Sequence, residues 1–237
     1  MKIINKNLFP FIIIVCAGFF CKQHPISVYM IGDSTIANKP VEDNPERGWG
    51  MMLHEFFDSL VIIDNHAVNG RSTRSFLYEN RWQPIVDKLN KGDYVIIQFG
   101  HNDESKEKKE RYTTPDEYRK NLVRFVNDTR TAKAHPVLCT PIMRRRFDEN
   151  GQFYDTHGVY PDIVRAVADS LKVPLVDMHH KSEQLIKSMG AEGSKKLFLF
   201  IKPGEYASLP EGKEDNTHFS EYGAREMARL FVDGIKE

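Results

Sequence analysis

The sequence lacks the charge imbalance and the cysteines that would point to certain partners or to disulfides. Lysine plus arginine equals aspartate plus glutamate, with 33 of each in 237 residues. No excess of positive charge favours nucleic acid, so we expect no nucleic-acid partner. Beyond residue 21 only Cys139 remains, inside an apolar run, and we therefore expect a buried thiol and no intrachain disulfide.

Motifs of several familiar enzyme classes are missing as well. The chain has no Gly-x-Ser-x-Gly elbow, which disfavours a standard α/β-hydrolase, and no phosphate loop, Gly-x-Gly-x-x-Gly fingerprint or Cys-x-x-Cys pair, which disfavours nucleotide and redox enzymes. His54-Glu55 lacks the second histidine of a zinc helix, and nothing else completes a set of ligands. We therefore expect no metal and no cofactor.

The apolar stretch near the N-terminus has the form of a signal peptide. Lys2 and Lys6 precede an apolar run over residues 8–20, which is too short for a comfortable membrane span. We expect residues 1–21 to be a signal peptide and the protein to be exported, to the periplasm or the outside of a bacterial cell. Two forms stay open: a freely exported protein, and a lipoprotein held in the bacterial envelope by a lipid on Cys21, the one membrane attachment that we expect.

The remaining residues, 22–237, have the composition of one globular domain, since 41% of the sequence is apolar and no linker or repeat divides it. Five short apolar runs rich in β-branched residues predict buried strands at residues 26–31, 61–64, 94–99, 136–140 and 173–177. Helical patterns lie between them, which predicts a five-stranded parallel sheet covered on both sides. We expect the strand order 2-1-3-4-5.

The clearest helical pattern begins at Thr114, where Thr-Pro-Asp-Glu forms a capping box with proline at the first helical position. One face of this helix then carries Tyr118, Leu122, Phe125, Val126 and Thr129. A second helix is predicted from about Ser220, with a buried stripe formed by Ala224, Met227, Ala228, Phe231 and Val232. The charged run over residues 104–111 predicts a solvated loop or helix face.

Residues suited to nucleophilic catalysis lie near the two ends of the domain. The first strand ends in Gly32-Asp33-Ser34, and Asp215-Asn216-Thr217-His218 precedes the last helix. A serine hydroxyl is a poor nucleophile until an imidazole takes its proton, and the imidazole needs a carboxylate to fix its tautomer. We therefore predict Ser34 as nucleophile, His218 as general base and then general acid, and Asp215 as the residue that orients His218.

Donors for an oxyanion follow the neighbouring strands. Gly70 comes after the second strand, and Gly100-His101-Asn102-Asp103 follows the third. In a parallel sheet, functional residues collect at the carboxyl ends of the strands. The backbone N–H groups of Ser34 and Gly70 and the side-chain amide of Asn102 are thus the predicted oxyanion hole, whereas His101 is more simply a hydrogen-bonded structural histidine.

These blocks resemble those of the SGNH, or GDSL-type, hydrolase superfamily. Within it the chain is most similar to the rhamnogalacturonan acetylesterases, through Gly32-Asp33-Ser34-Thr35, Asn69-Gly70-Arg71-Ser72, Thr140-Pro141-Ile142 and Asp215-Asn216-Thr217-His218-Phe219. The resemblance implies a three-layer α/β/α flavodoxin-like sandwich without a metal. It also implies removal of acetyl groups from the galacturonate-containing backbone of pectic rhamnogalacturonan, with the triad and oxyanion residues named above.

The expected partner is therefore an acetylated pectic polysaccharide or oligosaccharide. Guanidinium groups bind carboxylates well, and a tryptophan can stack on a sugar face. The candidate substrate-binding residues are Arg71, Arg74, Arg144, Arg145, Arg146 and Trp49. An ion-paired or solvated role for each arginine, and core packing for the tryptophan, stay open.

The sequence leads us to expect an exported serine esterase that acts through an acetyl-enzyme intermediate. Two alternatives keep the chemistry and change the substrate: an acetylesterase on xylan or another glycan, and a short-chain lipid esterase. A third belongs to another class, a non-catalytic carbohydrate-binding protein on the same fold.

Overall fold

Five parallel strands form the centre of the computed structural model, which describes residues 25–237. The predicted signal peptide and Cys21 lie outside the described residues. The strands are β1 (Ile26–Gly32), β2 (Val61–Asn65), β3 (Tyr94–Gln98), β4 (His135–Cys139) and β5 (Leu175–Val176). They lie in the order β2-β1-β3-β4-β5, with every neighbouring pair parallel, which confirms the predicted sheet.

Helices cover both faces of the sheet. They are α1 (Trp49–Met52), α2 (Thr73–Tyr78), α3 (Gln83–Val86), α4 (Pro115–Thr131), α5 (Tyr160–Leu171), α6 (Met178–Gly193) and α7 (Glu221–Gly234), with short 3₁₀ turns at Leu53–Phe56 and Ser194–Leu197. Among residues 25–237, no helix is long and apolar enough to cross a membrane.

The alternation of side chains along each strand produces two cores. On β1, Val28 and Met30 pack on the face covered by α1, α6 and α7, whereas Tyr29 and Ile31 pack on the face covered by α2 to α5. Successive side chains of a strand point to opposite faces, so one apolar run supplies both cores. The result is the predicted three-layer α/β/α sandwich.

The two helices predicted in most detail are present. Thr114 precedes α4, and its side-chain oxygen accepts the N–H of Glu117 at 3.3 Å. The five residues predicted on the inner face of α4 are all buried. Ser220 caps α7 in the same way, since its hydroxyl oxygen accepts the N–H of Gly223 at 3.0 Å, and the predicted stripe of α7 is buried.

An antiparallel hairpin lies beside the main sheet and was not predicted. It consists of β6 (Phe198–Ile201) and β7 (Lys213–Phe219). Phe198 pairs with Phe219, but the next residue, Leu199, pairs with Asp215, so residues 216–218 have no partner in β6 and form a bulge. β6 is a short apolar run that was not among the five predicted strands, and β7 is polar and lacks the apolar alternation of a strand.

Candidate active site

Ser34, His218 and Asp215 form one hydrogen-bonded chain. The hydroxyl of Ser34 donates to Nε2 of His218 at 2.9 Å, and Nδ1–H of His218 donates to Oδ2 of Asp215 at 2.8 Å. This tautomer leaves Nε2 free to accept the serine proton. Residues 184 positions apart in the sequence are thus in the geometry that proton transfer requires.

The bulge in β7 presents the histidine to the serine. Asp215 is held in the ladder opposite Leu199, and the three unpaired residues after it carry the chain outward and back to Phe219. Oδ1 of Asp215 accepts the backbone N–H groups of Thr217 at 2.8 Å and His218 at 3.0 Å, which closes the turn. The carboxylate therefore shapes the backbone as well as orienting the imidazole.

The carboxyl of Asp215 is held in its charged form. Partial burial raises its pKa, but the hydrogen bond and charge of His218, with the backbone N–H groups of His218 and Thr217, outweigh this effect. The pKa of Asp215 consequently lies well below its ordinary value. Lys213 also approaches Oδ2, with 3.3 Å between the nitrogen and the oxygen. A permanent negative charge next to His218 stabilises the imidazolium that forms during acyl transfer.

The turn that carries Ser34 is fixed by the buried Asp33. Oδ1 of Asp33 accepts the backbone N–H of Thr35 at 2.9 Å and its hydroxyl at 2.8 Å, while Nδ1 of His101 lies 3.4 Å from Oδ2. Burial raises the pKa of Asp33, yet His101 and Thr35 bring it down to about 2. Gly32 allows the tight approach to β3, since a Cβ there would lie 2.4 Å from the carbonyl oxygen of Gln98.

The candidate oxyanion donors surround Ser34. Gly70 has φ +75°, a conformation that favours glycine and turns the backbone at this position. Oδ1 of Asn102 accepts from Arg111 at 3.1 Å, and one N–H of its amide donates to the carbonyl of Arg71 at 3.1 Å. An amide carries two N–H groups, so the second remains available to a ligand.

A polar cavity of about 610 Å³ contains these groups. Its wall is formed by Ser34, Glu46, Asn69, Gly70, His101, Asn102, Ser105, Glu107, Lys108, Arg111, Arg144, Arg146, Thr217 and His218. The predicted nucleophile, base and oxyanion residues thus meet in one space large enough for a sugar unit and its acetyl group.

Two of the proposed substrate-binding residues cannot reach a sugar. Trp49 has no exposed surface, and its Nε1–H donates to Gln98 at 2.8 Å inside the core, so the sugar-stacking prediction was wrong. Arg145 is also buried and binds Asn216 Oδ1 at 2.6 Å, Ser194 Oγ at 3.2 Å and the carbonyl of Ala191. It is a structural arginine, because its donors are used by the chain itself.

The other four arginines differ in their access to the cavity, which Arg144 and Arg146 line and Arg71 and Arg74 do not. Arg71 pairs with Glu79 at 3.0 Å, Arg74 lies 3.7 Å from Glu117, and neither is part of the cavity wall, which is the ion-paired alternative that the sequence left open. Arg144 does line the cavity, where it pairs with Glu104 and donates to the carbonyl of His101 at 3.3 Å.

Four cavity residues were missed because they belong to the charged run over residues 104–111 that was interpreted as solvated: Ser105, Glu107, Lys108 and Arg111. Lys108 and Arg111 lie on the loop between β3, which ends at Gln98, and α4, and both are part of the cavity wall. Their place after Gly100-His101-Asn102-Asp103, at the carboxyl end of a central strand, was the signal that could have identified them.

A parallel sheet with a serine, a histidine and an aspartate joined by hydrogen bonds at its carboxyl edge defines a class of protein, the serine hydrolases. The chain belongs to the GDSL-like lipase/acylhydrolase family, whose model matches residues 30–225. It is therefore a carboxylic ester hydrolase, and the resemblance that the sequence motifs indicated is confirmed.

Individual relatives cover almost the whole chain. Rhamnogalacturonan acetylesterase RhgT of Bacillus subtilis (strain 168) is 44% identical over 215 residues, which are 91% of each chain. The probable rhamnogalacturonan acetylesterase YesY of the same strain is 36% identical over 89% of this chain and 92% of its own. The crystal structure of protein YXIM from Bacillus subtilis has a TM-score of 0.76 at 26% identity, covering 90% of this chain and 56% of that chain.

Proposed function

We propose that the protein is an exported serine esterase that removes O-acetyl groups from pectic rhamnogalacturonan. The observation that carries the chemistry is the hydrogen-bonded chain from Ser34 through His218 to Asp215 in the wall of a polar cavity. Support for the substrate comes from the 44% identity to RhgT, which is named as a rhamnogalacturonan acetylesterase.

Ser34 acts as the nucleophile and His218 as its general base. Because the hydroxyl already donates to Nε2 at 2.9 Å, the imidazole accepts the proton as Oγ attacks the acetyl carbonyl carbon. Asp215 keeps the ring in place and stabilises its charged form. The tetrahedral intermediate collapses when His218 donates the proton to the sugar oxygen. The bond between that oxygen and the acetyl carbon breaks, the sugar departs as an alcohol, and the acetyl group remains on Ser34.

The negative charge on the tetrahedral intermediate is stabilised by the N–H groups of Ser34 and Gly70 and by the free amide N–H of Asn102. Loss of one such donor typically costs ~2.7–4 kcal/mol of transition-state stabilisation. In the second half of the reaction a water molecule gives its proton to His218 and attacks the acetyl carbonyl. Collapse of that intermediate releases acetate, and His218 returns the proton to Ser34.

The surroundings of Ser34 favour a carbohydrate over a lipid ester. Charged and amide-bearing side chains dominate the cavity wall. An apolar cavity of about 590 Å³ exists elsewhere, between the sheet and the end of α7, but its wall includes Val28, Ile96 and Phe231 and not Ser34. An acyl chain bound there would not bring its ester to the nucleophile.

Export is the part of the proposal that rests on the sequence alone. The basic and apolar pattern of residues 1–21 is that of a signal peptide, and a polymeric cell-wall substrate requires an enzyme outside the cytoplasm. The mass of the protein isolated from the cell envelope distinguishes the two forms, because a lipid on Cys21 adds acyl chains to the mature N-terminus.

The proposed function is tested by acetate release from purified residues 22–237. Acetylated rhamnogalacturonan, acetylated xylan and a chromogenic acetyl ester are compared, with Ser34→Ala as the inactive variant. Ser188→Ala, which alters an exposed serine on α6, is the matched control. We expect the wild type and Ser188→Ala to release acetate and Ser34→Ala to release none. The rate of acetate release per acetyl group should be highest on rhamnogalacturonan.

The other outcomes separate the alternatives. A preference for acetylated xylan would support the serine mechanism but exclude pectic rhamnogalacturonan as the preferred substrate. Acetate release only from the small ester would exclude both polysaccharides as substrates. No Ser34-dependent release from any ester would support a carbohydrate-binding protein without activity.

A further inference from the structure

Two cations in the cavity wall have no carboxylate partner among the described residues. Lys108 is exposed on the loop after β3, and Arg146 is half-buried on the segment after β4. Neither side chain takes part in an ion pair or a hydrogen bond with another side chain of residues 25–237. They come from separate strand ends and border the same space as Ser34.

The other cations around the site are already neutralised or engaged. Arg144 pairs with Glu104, and Arg111 binds Asn102 at 3.1 Å and Glu110 at 3.2 Å. Since a guanidinium that is paired within the protein offers little to a ligand, Lys108 and Arg146 are the positive charges that remain for an anion.

The acids of the wall do not cancel these two charges. Glu46 lies 2.6 Å from the ammonium of the buried Lys39 and is therefore compensated. Glu107 is exposed and is the remaining carboxylate of the wall, so two uncompensated cations face one uncompensated acid. The uncompensated groups of the wall thus carry an excess of positive charge, although the whole chain carries no formal net charge.

We propose that Lys108 and Arg146 form a carboxylate-binding subsite beside Ser34, which takes the uronate group of the acetylated sugar chain. This inference rests on the proposed function, because the serine must act on a polymer that contains uronate residues. A cavity of about 610 Å³ holds little more than one or two sugar units, so the carboxylate lies on the acetylated residue or on its neighbour.

The subsite is tested by inhibition, which does not require turnover of the polysaccharide. An unacetylated rhamnogalacturonan oligosaccharide competes with hydrolysis of a chromogenic acetyl ester, and its methyl-esterified form lacks the carboxylate charge. The double variant Lys108→Gln, Arg146→Gln is compared with Lys109→Gln, Arg119→Gln, which removes the same two charges from exposed positions outside the cavity wall.

We expect the inhibition constant of the acidic oligosaccharide to rise about tenfold for each cation removed from the wall, equivalent to ~1.4 kcal/mol per cation. The control variant should keep the wild-type constant, and the methyl-esterified oligosaccharide should inhibit wild type and double variant equally. The difference between the two oligosaccharides should shrink at high salt.

Each other result has a distinct meaning. Equal weakening of acidic and methyl-esterified inhibitors would overturn the subsite, as would an acidic oligosaccharide that does not inhibit the wild-type enzyme. If the acidic oligosaccharide inhibits as expected but no acetate is released from acetylated rhamnogalacturonan, the proposed function fails and the subsite stands.

Discussion

Two carboxylates next to Ser34 have different tasks. Asp215 is half-buried and accepts a hydrogen bond from His218. Asp33 is fully buried and accepts hydrogen bonds from Thr35, in the turn that carries the serine. Both are held charged, because the charge of a neighbouring histidine and the hydrogen bonds to the carboxylate favour its ionised form more than burial opposes it. The position of Ser34 therefore depends on the charge of a residue that does not touch the substrate.

Asp33 should make folding stability dependent on pH in the acid range. Its pKa is about 2 in the folded protein against an ordinary value of 3.8. The stabilisation is therefore fully present above about pH 4 and is lost as the pH falls towards 2. We expect Asp33 to contribute about 2 kcal/mol to this loss. Urea unfolding of wild type and Asp33→Asn, followed between pH 2 and 6, measures it.

The quantity to compare is the slope of the free energy of unfolding against pH. Asparagine can still accept the hydrogen bonds of Thr35 but carries no charge that depends on pH. Asp33→Asn should lose less stability than wild type between pH 4 and pH 2. Asp162→Asn, which neutralises an exposed carboxylate on α5, should follow the wild-type curve. Parallel curves for all three proteins would mean that Asp33 has an ordinary pKa.

At the scale of elements, the bulge of β7 is the feature on which the site depends, and Arg145 clamps it. The backbone N–H of Arg145 donates to the carbonyl of Asn216 at 2.8 Å, and Nη1 donates to Oδ1 of the same residue at 2.6 Å. Further donors of Arg145 reach Ser194 and Ala191 at the end of α6. One side chain thus joins the catalytic bulge to a helix.

Replacing Arg145 should therefore reduce turnover more than substrate binding. Without the clamp, His218 samples positions from which Ser34 is out of reach, and misplacement by about 1 Å can cost about 10²-fold in rate. We expect Arg145→Ala to lower kcat by about 10- to 100-fold, with a small change in KM. Steady-state kinetics on a chromogenic acetyl ester measures the two constants.

A matched control is available on α4. Arg130 also donates to backbone carbonyls, those of Leu171 and Lys172, but far from the bulge. Arg130→Ala should keep kcat, and Arg145→Lys should recover part of it because one donor remains. A rise in KM with unchanged kcat for Arg145→Ala would assign the arginine to substrate binding after all.

The elements that could be predicted from sequence are those with one dominant apolar signal. The five strands are short apolar runs rich in β-branched residues, although β2 is only half-buried, and the inner faces of α4 and α7 are apolar stripes with helical periodicity. β7 could not be recognised, because Lys213 to His218 are polar and only residues 213–215 and 219 pair with β6. Arg145 and Trp49 were misassigned for a related reason: residue type alone does not reveal which donors the protein itself uses.

The whole molecule is organised as two cores that share the sheet. Every central strand contributes to both, so loss of either core exposes the other, and the domain should unfold as one unit. The reactivity of Cys139 on β4 reports on this cooperative unfolding, because Cys139 is buried and is the only cysteine of residues 22–237. Burial raises the pKa of its thiol, which keeps the reactive thiolate rare in the native state.

Alkylation of Cys139 should therefore follow global unfolding. Pulse labelling with iodoacetamide across a urea series, read by mass spectrometry, should have the same midpoint as the loss of helical circular dichroism. A Ser188→Cys, Cys139→Ala variant, with its thiol on the exposed side of α6, should label without urea. The neighbouring strand β5 has only Leu175–Val176. Labelling well below the unfolding midpoint would mean that this short edge opens by itself, and the two cores would then be less tightly coupled than the shared sheet implies.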